Sequence, residues 1–147
     1  MEFHYLARGI TYVNGQILLA RQRGAINTFL PVGHIRNGES AEAALAREIE
    51  EEIGNKVIVK RFIGAVESTW KENELENHEI NLVFEFTMPD IDWTTPPCSN
   101  ENHLEFILAE PTELKKYNLQ PYPLVKCIMN WKDNYNCFWG STINQYT

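Results

Sequence analysis

The chain has 147 residues, 44% of them hydrophobic and 22% charged, with four Trp, six Tyr and seven Phe. That length and that supply of bulky side chains exclude a low-complexity or disordered chain, and one domain over residues 1–147 is expected. The formal net charge of −7 argues against a groove for a nucleic acid polymer, which needs basic patches that displace counterions.

A small anionic ligand is not excluded, because Arg8, Arg21, Arg23 and Arg36 gather near the N-terminal side. No apolar run approaches the roughly 20 residues of a membrane span. The opening MEFHYLARGI also lacks the basic-then-apolar layout of a secretory signal. The expectation is a cytoplasmic protein with no membrane partner. Cys98, Cys127 and Cys137 are odd in number and lack the close paired spacing of a zinc site, so they read as incidental thiols.

In chain order, residues 4–13 and 16–20 flank Asn14-Gly15, the strongest short hairpin signal, so two paired strands are expected there. AINTFLPVGHI follows as a short extended piece. Ser40 fits a helix N-cap, Glu42 suits the positive end of the helix dipole, and Gly54 supplies a C-terminal stop. A helix over about residues 41–53 results. Two further strands, VIVKRFIGAVEST and HEINLVFEFTM, come next, the first interrupted by Gly64. DIDWTTPPCSNENH, with adjacent prolines, is a loop. EFILAE reads as a strand, Pro111 to Leu114 as the opening of a short helix, and PYPLVKCIMNWKDNY as a final helix. Strands and helices alternate irregularly. A mixed sheet with helices on its faces follows.

The helix over 41–53 carries an electrostatic oddity. At 100° per residue, with Glu48 as zero, Glu51 falls near −60° and Glu52 near +40°, while Glu50 points almost the opposite way. Ala41, Ala44 and Leu45 share the arc of the trio. Like charges at these spacings repel by roughly 0.2–0.5 kcal/mol per pair. A solvated charged face is the ordinary explanation of a Glu-rich helix. Here the acids continue the apolar arc, and Arg47 reaches Glu51 but not all three. A divalent cation with oxygen ligands would remove the conflict.

The stretch GHIRNGESAEAALAREIEEEIGN, Gly33 to Asn55, resembles the signature of the Nudix hydrolases: Gly, five residues, Glu, seven residues, Arg-Glu-apolar-x-Glu-Glu-x-Gly-apolar. Gly33, Glu39, Arg47, Glu48, Ile49, Glu51, Glu52 and Gly54 all fall in register. Asn55 departs from the usual aliphatic residue. The resemblance implies an α/β (α+β) fold, the Nudix-type α/β/α sandwich with a mixed central sheet. It implies Glu48, Glu51 and Glu52 as catalytic residues and metal ligands, and Gly33 as a further ligand through its backbone carbonyl. One of the acids would act as base on the attacking water. Glu39 and Arg47 would tie loop to helix, as architecture and not as catalysts.

The same resemblance implies a Mg²⁺-dependent hydrolase, with Mn²⁺ as the alternative ion, that cleaves a phosphoanhydride in a nucleoside diphosphate linked to another group. Family members often add a carboxylate from a later loop. Glu101 is the candidate here, ahead of Glu79 and Glu105. Arg21, Arg23 and His34 are candidates for substrate binding, and Trp70 and Trp93 for stacking on a base. Some subgroups carry a proline or tyrosine 16–18 residues past the signature, associated with ADP-ribose or dinucleoside polyphosphates. Trp70, Lys71 and Glu72 stand there instead, which favours a nucleoside triphosphate or a nucleotide sugar, the expectation leaning towards nucleoside triphosphates. An ADP-ribose or nucleotide-sugar pyrophosphatase, or a non-catalytic nucleotide-binding module, are the alternatives. The expected partner is a small nucleotide. A homodimer is compatible with the sequence, which does not fix the oligomeric state.

Overall fold

Asn14 and Gly15 turn the chain with φ of 51° and 82°, both in the left-handed region that a tight hairpin of matching twist requires. They join β2 (Tyr12–Val13) to β3 (Gln16–Gln22). The computed structural model, which describes residues 1–131 and 136–143, divides the expected 4–13 strand in two. β1 (Glu2–Ile10) stops before Thr11, and the two pieces enter different sheets.

The larger sheet has the order β4-β1-β6-β5-β8, with β4 (Val32–His34), β5 (Ile58–Glu72), β6 (Leu75–Thr87) and β8 (Phe138–Ser141). β1 runs parallel to β6, from Glu2 opposite Asn77 to Ile10 opposite Glu85, while β4 and β5 are antiparallel to their neighbours β1 and β6. The sheet is therefore mixed, as expected. A smaller sheet joins β2, β3 and β7 (Leu104–Ala109).

α1 (Ala41–Ile53) begins and ends where its caps demand. The Ser40 hydroxyl accepts from the Ala43 N–H at 3.1 Å, and Gly54, at φ 84°, donates its N–H to the Glu50 carbonyl at 2.8 Å. Beyond the 3₁₀ turn Pro111–Glu113, α2 covers Pro123–Asn130, shorter than the helix expected over 121–135. The part of that expectation over 132–135 lies outside the described residues. β8, which the sequence did not announce, pairs parallel to β5. It comes so close that a Cβ on Gly64 would sit 2.2 Å from the Phe138 carbonyl oxygen. Gly64 therefore serves a close strand approach.

Side chains of alternate strand residues divide the core. Ala7, Phe84 and Phe86 pack with Leu45 and Ile49 of α1 on one face. Ile10, Val66 and Val83 pack with Leu124, Cys127 and Ile128 of α2 on the other. These are the three layers of an α/β/α sandwich. Burial pushes the Cys127 thiol up to about 12, whereas Cys98 and Cys137 are exposed. No helix among the described residues is long and apolar enough to cross a membrane.

Candidate active site

α1 is held to the sheet by Ala44, Leu45 and Ile49, all fully buried. That anchoring fixes the orientation of the acids one turn later. Gly33 of β4 lies directly against this helix: a Cβ there would stand 2.7 Å from the Ala44 carbonyl oxygen and 3.0 Å from Cγ of Glu48. The missing side chain lets strand and helix approach, and it sets Glu48 beside the β4 backbone.

Arg47 gathers the loop before the helix. Its Nε donates to Glu39 Oε2 at 2.8 Å and its Nη2 to Glu39 Oε1 at 3.0 Å. Nη1 donates to Glu48 Oε1 at 2.9 Å and lies 3.9 Å from Glu51 Oε1, and Nη2 also reaches the His34 carbonyl at 3.1 Å. Glu39 Oε1 in turn accepts the Arg36 N–H at 3.2 Å. The Arg47 hydrogen bonds hold the Glu39 carboxyl down at about 2. The same bonds, to Glu39 and Glu48, raise the Arg47 guanidinium above its usual value. Arg47 thus ties the 34–39 loop to α1 and also fixes one oxygen of Glu48.

Glu52 is the acid most altered by its surroundings. Burial, then the charges of Glu101, Glu48 and Glu51, push its carboxyl up to about 8. The 99–102 loop therefore brings Glu101 into the electrostatic neighbourhood of the α1 acids. It does so by docking on the end of α1, where the Asn100 N–H donates to the Glu52 carbonyl at 2.7 Å. Asn100 Nδ2 donates to the Glu51 carbonyl at 3.1 Å. Among the described residues, no three His, Cys, Asp or Glu side chains converge on one point in metal-holding geometry. The donor set is nonetheless all carboxylate oxygen, the chemistry of a hard divalent cation. Such an ion commonly takes one or two protein carboxylates and completes its shell with water and substrate phosphate. The residues present fit that arrangement.

On the opposite sheet face a cleft of about 820 Å³ opens beside β4. Leu6 and Arg8 of β1, His34 of β4 and Trp70 of β5 line it, facing the loop around Phe29 and the segment at Tyr122. Trp70 is 40% exposed and stacks on His4, with ring centroids 5.9 Å apart and planes 21° off parallel. His4 also meets His34 edge-on at 5.8 Å. Partial burial and the neighbouring His4 push the His34 imidazole down. His34 is charge-coupled to both Glu48 and Glu79, so the acid cluster and the cleft meet at β4.

The cleft floor is a buried polar network. Arg8 Nε donates to Asn81 Oδ1 at 2.7 Å, and Nη2 lies 3.8 Å from Glu79 Oε1. Asn81 Nδ2 donates to Glu79 Oε1 at 3.0 Å, and Trp70 Nε1 donates to Glu79 Oε2 at 3.3 Å. Glu79 is thereby a strut beneath Trp70. Sequence reasoning missed this floor, although Asn77, Glu79 and Asn81 do recur at period two.

Arg21 and Arg23 lie apart from the cleft lining. Arg21 pairs with Glu105 at 2.8 Å, and Arg23 reaches Glu105 at 3.6 Å and the Asn102 carbonyl at 2.8 Å. Glu105 is engaged by both. Trp93 packs against the α1-side core, away from the cleft.

The sequence profile of the NUDIX domain matches residues 4–126. The chain belongs to the Nudix family. It is a hydrolase of that family, whose members act on small nucleotides and generally use divalent cations. The solution structure of the E. coli ORF135 protein is similar at 23% identity over 88% of this chain and 90% of that one, with a TM-score of 0.61. A MutT protein from Methanosarcina mazei Go1 matches at 18% identity over 88% and 93%, TM-score 0.67. A UDP-X diphosphatase matches at 17% identity over 95% and 68%, TM-score 0.64. These likenesses establish the shared Nudix fold.

Proposed function

We propose that this Nudix hydrolase is a pyrophosphohydrolase of nucleoside triphosphates, dependent on Mg²⁺ with Mn²⁺ as the alternative ion. The observation that supports the reading is the docking of the 99–102 loop on the end of α1 through Asn100, which brings the charge of Glu101 to bear on Glu52 alongside Glu48 and Glu51, beside a cleft with an exposed aromatic platform. One or two of these carboxylates at a time, with the Gly33 carbonyl, would hold the ion, water and substrate phosphate completing its shell. A bound divalent ion would neutralise phosphate-oxygen charge, which an acidic protein alone would repel.

The chain's own groups do the rest. A carboxylate of the cluster takes the proton of the attacking water, whose oxygen bonds to phosphorus as the anhydride P–O bond breaks. The nucleoside monophosphate and pyrophosphate leave. His34 lies where phosphates would cross from the acids to the cleft, and Trp70 offers a face to the base. Arg21 and Arg23 are not required by this reading, since Glu105 already engages both.

A second reading is a nucleotide-sugar pyrophosphatase. The cleft volume of about 820 Å³ favours it, because that is ample for a nucleoside and a further ring. A mixed panel of nucleoside triphosphates, nucleotide sugars and ADP-ribose with Mg²⁺ separates the two readings. Pyrophosphate release from a triphosphate is the expected result. Turnover confined to nucleotide sugars would replace the first reading with the second. Binding of one panel member without any turnover would leave only a nucleotide-binding module.

A further inference from the structure

The end of α1 raises a question that the acids alone do not answer. A helix leaves its last carbonyls without intrahelical partners. Gly54 meets one of them, that of Glu50. The next two, those of Glu51 and Glu52, are met by a single residue 48 positions or more away in sequence: Asn100 gives its side-chain N–H to Glu51 and its backbone N–H to Glu52. Asparagine offers a side-chain amide donor a short reach from its own backbone N–H, and one of each makes this double engagement. Gly54 also makes room for it, since a Cβ there would stand 3.3 Å from Asn100 Nδ2.

The carbonyls that Asn100 grips belong to Glu51 and Glu52, two of the acids proposed to bind the ion, and the residue following Asn100 is the fourth acid, Glu101. The loop is fixed on its far side as well. Arg23 donates from its backbone N–H to the His103 carbonyl at 2.8 Å and from Nε to the Asn102 carbonyl at 2.8 Å. Glu101 is therefore suspended between two anchors, one on the helix and one at Arg23, the residue that follows β3. Within the loop, the Glu101 N–H donates to Ser99 Oγ at 3.0 Å, which turns the chain at that residue.

We infer that Asn100 is a positioning residue, whose grip on the Glu51 and Glu52 carbonyls brings Glu101 to the acid cluster. The inference rests on the reading of that cluster as a divalent-cation site. Asn100 touches neither ion nor substrate and acts through Glu101. Being exposed, its side chain can be removed without opening the core.

The test is a double-mutant cycle of Asn100→Ala and Glu101→Gln, read by Mn²⁺ binding with electron paramagnetic resonance of the free ion. Asn100→Ala is expected to weaken Mn²⁺ about tenfold, the scale of residues that orient metal ligands. In the Glu101→Gln background the same change is expected to do nothing more. Equal weakening in both backgrounds, or none in either, overturns the inference. Loss of cooperative unfolding in Asn100→Ala overturns it too, since the residue would then serve folding. If the wild-type protein binds no Mn²⁺, the cation-site reading falls and takes this inference with it. If the wild type binds and the cycle is additive, only the role of Asn100 falls.

Discussion

Arg47 holds Glu39 through two hydrogen bonds, at 2.8 and 3.0 Å, while its remaining terminal nitrogen holds Glu48 at 2.9 Å. A planar guanidinium holds Glu39 through two nitrogens and still offers a third to Glu48, a fork that the single nitrogen of an ammonium cannot reproduce. Arg47→Lys is expected to lower kcat/KM by about 10- to 100-fold, through a Glu48 no longer held in place. Steady-state kinetics with saturating Mg²⁺ reads this. Glu39 gives the matching pH signature. Its carboxyl is held below its ordinary value of 4.5, at about 2, so its stabilising contribution is complete above pH 4.5 and is lost as pH falls through about 2. Urea midpoints of wild type and Glu39→Gln should differ by a constant amount above pH 4.5 and converge below it.

Glu52 has the opposite sign. Its carboxyl is pushed up to about 8 in the metal-free protein, so the folded chain retains a proton that the unfolded chain releases above 4.5. Stability in the presence of a chelator should therefore decline as pH rises from 4.5 towards 8, and level off beyond. The total is on the order of a few kcal/mol. Glu52→Gln should flatten that decline in thermal melts from pH 5 to 9 while abolishing turnover. A wild-type melting temperature that rises across this range would contradict the assignment.

Gly33 sits too close to α1 for any side chain. Gly33→Ala would drive a methyl against the Ala44 carbonyl and Cγ of Glu48, and strand and helix must part. Overpacking of this kind costs about 1–3 kcal/mol. Chemical denaturation should register that loss, and Mn²⁺ titration should register a weaker site because Glu48 moves with the helix.

Trp70 tests the cleft. Removing an aromatic face that stacks on a base forfeits about 1–3 kcal/mol. Trp70→Ala should raise KM for the preferred nucleotide by ten- to a hundredfold and change kcat by no more than about twofold. Trp70→Phe should recover most of the affinity. An unchanged KM in Trp70→Ala would move the nucleoside out of the cleft.

The helix that carries the acids was readable because its signals are local: Ser40 caps one end, Gly54 the other, and the register of Glu48, Glu51 and Glu52 follows from helical geometry. The hairpin at Asn14-Gly15 was readable for the same reason. What escaped depends on partners distant in sequence. β8 is only four residues long, and its place beside β5 depends on Gly64 lacking a side chain. The break at Thr11 reflects which sheet each half joins, and nothing in HYLARGITYV marks it. Asn100 lies in a stretch whose prolines announce only a loop, and its meaning comes from an α1 terminus far upstream. Arg21 and Arg23 looked free for phosphate because Glu105, opposite Arg21 across two strands, is invisible without the β3–β7 register.

The brevity of β4 and β8, three and four residues, has a bearing on self-association. They lie at the two rims of the five-stranded sheet and cover only part of their longer neighbours, β4 lying along residues 6–8 of β1 and β8 along residues 64–67 of β5. The opening of β1 and the start of β5 therefore lie beyond those rims, and the exposed charges of Glu2 and Lys60 there discourage pairing with another chain. Extension of that sheet by a second molecule would have to bury those charges beside the shared edge.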